Sequence, residues 1–322
     1  MDKINYPEII SEYPWILEKN QKAILSPDSD GLLSGLFMSH YFGWEITGFY
    51  DGKVLLLKER ISANDCVFLD IDIYRKEVRS VGHHIVLYNK EHLPPNWENF
   101  SNCIQPNIIR NYDGFHNFQL KYPLATIHFL SGIVGSKQEI KIPKSAICPL
   151  LYTNGTFKNL LKYPENCLSW ISFLGGDEEN SPIHQLFYNR DYLVSDLMLS
   201  LRDFFAKLSN IKEGRGKADK LKISNPKGEL INLTREQDMY SINSDKKDKV
   251  EEFLKLLAEL TGWDYEKDKW NWEGFKAYKF QKGNIKPCNF RYKDLMDKNP
   301  LSLVMRSGSV IEYTLEIPDK LP

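Results

Sequence analysis

Two aspartate clusters and a histidine pair carry the chemistry most directly readable in this chain. Asp28 and Asp30 lie in the turn Ser26-Pro27-Asp28-Ser29-Asp30-Gly31, straight after the apolar run Ala23-Ile24-Leu25. Asp70 and Asp72 follow a second apolar run, Cys66-Val67-Phe68-Leu69. His83 and His84 stand between Gly82 and a third run, Ile85-Val86-Leu87-Tyr88. Carboxylate oxygens are preferred ligands of hard divalent cations, and imidazole joins them readily on Mn²⁺. An imidazole left off the ion can donate to a phosphate oxygen or act as an acid. The pattern suits metal-assisted phosphoester chemistry. Each piece also has a plain structural explanation: Asp-x-Asp-Gly is a common surface turn, Asp30 can cap a helix, and His-His can be a packing pair. Gly31 would let the chain approach a metal or phosphate closely. Ser34, one helical turn on, is placed to contact a phosphate near a helix N-terminus. Neighbouring side chains of an extended segment point opposite ways, so both histidines reach one site only if the chain bends at Gly82.

The elements that must position these residues alternate between strand and helix. Ala23 to Leu25 reads as a strand and Leu32 to Tyr41 as a helix. Glu45 to Tyr50 and Lys53 to Leu57 read as extended segments about the Asp51-Gly52 turn. Cys66 to Leu69 and Ile85 to Tyr88 are all apolar, the pattern of strands buried on both faces. Leu124 to Ile133 reads as a helix, and Ile147 to Tyr152 as a strand before the turn Asn154-Gly155. The expectation is an α/β fold: a mainly parallel sheet with helices on both faces, plus a smaller α+β C-terminal domain. Ligands of such sheets sit beyond the carboxyl ends of strands, where Asp28, Asp70 and Asn154 fall. The polar stretch from Gly175 to Pro182 marks a boundary, giving one domain over 1–178 and a substrate-binding or accessory domain over 186–322. Within the second, helices are expected near Asp191 to Leu208 and Val250 to Leu260, and strands over Leu301 to Pro318.

In this order the motifs resemble a known family. Ser26-Pro27-Asp28-Ser29-Asp30-Gly31-Leu32-Leu33-Ser34 resembles the first motif of the DHH phosphoesterases, which include RecJ-like nucleases, oligonucleotide phosphodiesterases and manganese pyrophosphatases. Leu69-Asp70 resembles the second motif, Gly82-His83-His84 the Asp-His-His triplet, and Thr153-Asn154-Gly155-Thr156-Phe157 the fourth. The resemblance covers about residues 22 to 175. It implies that Asp28, Asp30, Asp70, His83 and Asn154 hold one or two Mn²⁺ (or Mg²⁺) ions, and that His84 contacts the scissile phosphate. It implies hydrolysis of a short single-stranded oligonucleotide or a small nucleotide, by metal-activated water. Three positions depart from the family: Gly82 and Asn154 stand where it carries aspartates, and Ile24 where some members have a histidine.

Further residues fit the same reading less directly. Asn107 and His128 lie on a loop and helix that in the family pack behind the site, so each either faces substrate or belongs to the core. Arg306, at the end of Ser302-Leu303-Val304-Met305, would bind phosphate bidentately or simply lie on a hairpin surface. Lys212, Arg215, Lys217, Lys220, Lys222 and Lys227 form a basic stretch that suits nucleic acid or, more plainly, a solvated loop. Trp270, Trp272, Phe275 and Tyr278 are more ordinary as core than as base-stacking platforms.

Composition narrows the class. The net charge of −1 gives no basic excess for binding a long duplex, although a local patch suffices for a short strand. Five cysteines without a C-x-x-C pair argue against a disulfide framework or a zinc knot, and for a reducing compartment. No signal core or membrane-length apolar run is present, so a cytoplasmic protein is expected. Two alternatives stay open. Gly82 and Asn154 suit a catalytically degenerate nucleotide-binding or scaffold module with a protein partner. Leu69-Asp70-Ile71-Asp72 also resembles haloacid dehalogenase-type phosphatases, with Asp70 as nucleophile.

Overall fold

The computed structural model describes residues 3–211 and 219–322; Lys212, Arg215 and Lys217 of the basic stretch lie outside the described residues. In chain order the helices are α1 (Tyr6–Glu12), α2 (Ser29–Phe42), α3 (Pro106–Ile109), α4 (Thr126–Gly135), α5 (Lys144–Tyr152) and α6 (Thr156–Lys162). They continue as α7 (Pro164–Phe173), α8 (Pro182–Phe187), α9 (Val194–Ile211), α10 (Ser244–Thr261) and α11 (Asn289–Asp297). The strands are β1 (Lys22–Leu25), β2 (Glu45–Tyr50), β3 (Val54–Lys58), β4 (Cys66–Leu69), β5 (Arg79–Val81) and β6 (Cys103–Ile104). After the helical middle come β7 (Leu233–Glu236), β8 (Met239–Ile242), β9 (Phe275–Lys279), β10 (Gln281–Ile285), β11 (Ser302–Ser307) and β12 (Val310–Leu315).

A large mixed sheet has the order β6-β5-β4-β1-β2-β3-β9-β8-β7, and a smaller one the order β10-β12-β11. The first five strands of the large sheet pair in parallel. From β2 onward every pairing is antiparallel. The parallel half forms where apolar runs are buried on both sides: every residue of β4 is buried. The chain leaves β1 for β2 on one side and returns to β4 on the other, so the β1–β4 edge is a topological switch point, the usual place for a ligand crevice.

Ala23, Leu25, Val67 and Leu69 point into the main core, shared with residues of α2, α4, α5 and α10. Ile24, Cys66 and Phe68 point the other way, into a cluster completed by Tyr50, Phe280 and Leu301 that contains no α-helical residue among those described. Helices were expected on both faces; the second face is covered instead by strands and loops, many from the C-terminal part. The expected boundary between 178 and 186 does not divide the large sheet, because β9 pairs with β3 and carries β8 and β7 with it.

Two expected strands are absent. Ile147 to Tyr152 is helix α5, with Pro149 inside it. Ile85 to Tyr88 is buried but irregular, packed beneath Leu303, Met305 and Ile311 of the small sheet. A short apolar run reads the same in either setting, since burial and not periodicity produced it. No described helix is long and apolar enough to cross a membrane.

Candidate metal centre and its groove

Three neighbouring parallel strands, β1, β4 and β5, end on one crevice. Past β1, the Asp28 side chain caps α2, accepting from the backbone N–H groups of Asp30 at 3.2 Å and Gly31 at 3.4 Å. That cap turns Asp30 inward, where it is 2 % exposed. Gly31 serves this turn and not a ligand: a Cβ there would lie 2.0 Å from the Ser26 carbonyl oxygen. At the end of β4, Asp70 adopts a left-handed backbone (φ 62°), an uncommon conformation that aims its carboxyl across the crevice. Past β5 the chain bends, and the rings of His83 and His84 stack with centroids 4.2 Å apart. Both histidines therefore reach the same side.

Asp30, Asp70 and His83 converge, with one ligand atom from each lying within 4.8 Å of the others. His83 Nδ1 is 3.1 Å from Asp70 Oδ1 and 3.7 Å from Asp30 Oδ2. Adjacent ligands around an ion with bonds near 2.1–2.2 Å sit roughly 3 Å apart, so the spacing and the carboxylate–imidazole donor set fit a divalent cation. Thr126, the first residue of α4, ties the cluster together. Its hydroxyl donates to Asp70 Oδ1 at 2.8 Å and lies 2.8 Å from His83 Nδ1. The backbone N–H groups of Thr126 and Ile127 donate to the two Asp30 oxygens at 2.8 and 3.1 Å, placing a carboxylate on a helix N-terminus. Sequence reasoning missed Thr126 because a threonine opening a helix carries no chemical signal of its own.

Burial sets the protonation of the cluster. It raises Asp30 well above the usual carboxylate range, with the nearby charge of Asp70 adding to it. It raises Asp70 to about 7, assisted by Asp28. His83 is pushed down to about 4 by burial and by its neighbour His84. For His84, burial acts downward, but the hydrogen bond to Asp72 and the charges of Asp72 and Asp70 outweigh it, and the net shift is upward. His84 Nδ1 lies 3.0 Å from Asp72 Oδ2, while the side chain is 40 % exposed toward the crevice.

The other expected site residues take different places. Asn154 reaches His83, its side-chain amide 2.9 Å from Nε2, the ring nitrogen not turned to the carboxylates; with the amide oxygen accepting from Nε2–H it would brace the ring and leave Nδ1 free for an ion. Asn107 is buried and does not face a ligand: it donates to the His83 carbonyl at 2.9 Å and accepts from the Tyr122 N–H at 2.8 Å. His128 is a core residue, accepting from the Ala125 N–H and bonded to the Leu150 carbonyl, and burial pushes it down to about 3. Ser34 is fully buried within α2, its hydroxyl making no hydrogen bond to a described residue, so it does not contact a phosphate. Asp28 stands apart from the triad and pairs with Lys220 Nζ at 3.5 Å. Arg306 is exposed and pairs with Glu312 at 2.6 Å.

Two cavities meet at His84. The first, about 660 Å³, is lined by Asp28, Asp70 and Asp72 and by Lys53, Lys220 and Lys282. The second, about 760 Å³, is lined by His83, Phe118, Lys121, Tyr163 and Arg306 among others. Lys220 is held there by its neighbours: the Leu221 N–H donates to Pro27 O at 2.9 Å, and Leu221 and Ile223 are buried. This end of the basic stretch is wall and not a free loop. No family model matches the chain, and no curated protein or solved structure matches it either.

Proposed function

We propose that the chain is a divalent-metal-dependent phosphodiesterase of the DHH type, acting on a short single strand or a small nucleotide. One observation carries the reading: a buried Asp30–Asp70–His83 triad at a switch point, with His84 beside it where two cavities meet. Two cavities that share His84 in their walls suit a diester, which has two groups on its phosphorus to place, better than a monoester. A bound Mn²⁺ or Mg²⁺ would polarise a phosphoryl oxygen and lower the pKa of a water. The chain's own residues do the rest. His84, with Nδ1 on Asp72, would act as the doubly protonated imidazolium, giving its Nε2 proton to a phosphate or leaving-group oxygen and keeping the Nδ1 proton hydrogen-bonded to Asp72. The lysines of the first cavity and Lys121 and Arg306 of the second hold the flanking groups. Asp70 is a poor candidate for a phosphatase nucleophile, since it is held up to about 7 and bonded to Thr126.

Asn154, an uncharged amide beside His83, favours a second reading, a module that binds nucleotide without cutting it. The two are separated by Mn²⁺-dependent hydrolysis of a labelled single-stranded oligonucleotide and of bis(p-nitrophenyl) phosphate, run beside Asp70→Asn and His84→Ala. Metal-dependent turnover lost in both variants supports the phosphodiesterase. A parent chain that neither turns over nor binds Mn²⁺ overturns it and leaves the binding module.

A further inference from the structure

Gly82 has no conformational reason to be glycine, because its φ does not lie in the left-handed region. Its reason is room. A Cβ at this position would lie 2.1 Å from Asp72 Oδ1 and 2.6 Å from Oδ2. The Asp72 carboxyl thus occupies the volume that a side chain on residue 82 would fill. Asp72 is 4 % exposed and both its oxygens are engaged: Oδ2 with His84 Nδ1 at 3.0 Å, Oδ1 with the Cys103 thiol at 3.9 Å. It lies outside the Asp30–Asp70–His83 triad.

We infer that Asp72 is a positioning residue for His84, seated in the space that Gly82 leaves open, and that the carboxylate missing at position 82 is supplied from position 72. Resting on the phosphodiesterase reading, the inference gives His84 a defined task. A carboxylate on Nδ1 keeps that nitrogen protonated, so the proton His84 gives up is the one on Nε2, toward the crevice, and the ring left behind is the Nδ1–H form. Glycine and aspartate then act as a pair: enlarging residue 82 has the same effect as removing the charge at 72.

The test reads the ring before it reads turnover. Ring-nitrogen NMR of the metal-free protein at alkaline pH, assigned with His84→Gln, should show His84 as the Nδ1–H tautomer. Asp72→Asn should move it toward Nε2–H. Gly82→Ala, which displaces the carboxyl without altering it, should do the same. If one variant fails to fold, the other still decides. In turnover, both should lower kcat by about 10–100-fold, the usual cost of losing such a support, with KM held within about twofold. Mn²⁺ affinity by calorimetry should stay within about twofold of the parent, unlike in Asp70→Asn. An unchanged His84 ring signature in the folded variants overturns the inference. A collapse of Mn²⁺ affinity in Asp72→Asn does so too, because it marks Asp72 as a ligand. A parent that hydrolyses nothing sinks the phosphodiesterase reading alone, since the tautomer still reports on Asp72.

Discussion

A proton and a divalent ion compete for the same buried oxygens in this crevice. Asp70 is raised to about 7, so below neutrality it holds a proton that an ion must displace, and burial raises Asp30 in the same direction. The sign follows: the protonated fraction of Asp70 falls as pH rises through about 7, so Mn²⁺ binding should strengthen from pH 6 to 8, by up to about tenfold per unit. Calorimetry in buffers of different ionisation heat would show proton release on binding, and an affinity flat across that range would contradict the assignment. Asn154 touches His83 on its other ring nitrogen, so Asn154→Ala should weaken Mn²⁺ by about 10–100-fold without altering any of the three proposed ligands. An unchanged affinity would make Asn154 a bystander. At this scale the sequence was partly legible. Asp30 and Asp70 announce themselves by following apolar runs, and His83 by preceding one, each with a suitable donor atom. Asn107 and His128 do not betray that their polar atoms are consumed by backbone groups. The fit of Asp72 over Gly82 is invisible in a linear reading, because it depends on the register of β5 against the chain leaving β4.

Helix α2 begins so close to the turn before it that its third residue has no space for a side chain. Gly31→Ala should destabilise the fold by about 1–3 kcal/mol, since the nearest obstacle is the Ser26 backbone and not a side chain free to rotate away. A urea titration would read this as a lower midpoint with an unchanged slope, and a parent-like midpoint would refute it. Elements with a clear boundary were legible: α2 runs from its Asp28 cap to the left-handed Gly43, and β2 and β3 turn back about Asp51-Gly52. Elements without one were not. The six residues Ile147 to Tyr152 are apolar enough for either state; Pro149 weakened the strand reading, but proline is disfavoured inside a helix as well and so did not point to α5. Helix α5 then places Asn154 after a helix and not after a strand, at a kink where its backbone is left-handed (φ 53°).

The whole groove is close to charge-balanced, since Lys53, Lys220 and Lys282 each pair with a carboxylate of Asp51, Asp28 or Glu312. Its cationic lining is Lys53, Lys121, Lys220, Lys222, Lys282 and Arg306. With about 0.7 counterions released per contact to a single strand, oligonucleotide affinity should fall with salt at a log–log slope no steeper than about −4. A steeper slope in a fluorescence titration would place binding outside the groove. The C-terminal part was expected to be a separate domain, and no local cue reveals that β9 lies against β3. That shared sheet has a mechanical consequence. The wall of the first cavity formed by β10, β11 and β12 hangs from β9, which is zipped to the strand beside β2. That wall is a separate sheet, tied to the rest by single backbone bonds: Phe280 N–H to Lys53 O at 2.7 Å, Tyr74 N–H to Leu301 O at 2.8 Å and Met305 N–H to Ile85 O at 2.9 Å, all of which a hinge motion would have to break. For the proposed enzyme, substrate and product would then pass the side chains of a mouth pinned at three points, and turnover would be timed by chemistry and escape more than by the gaping of a clamp.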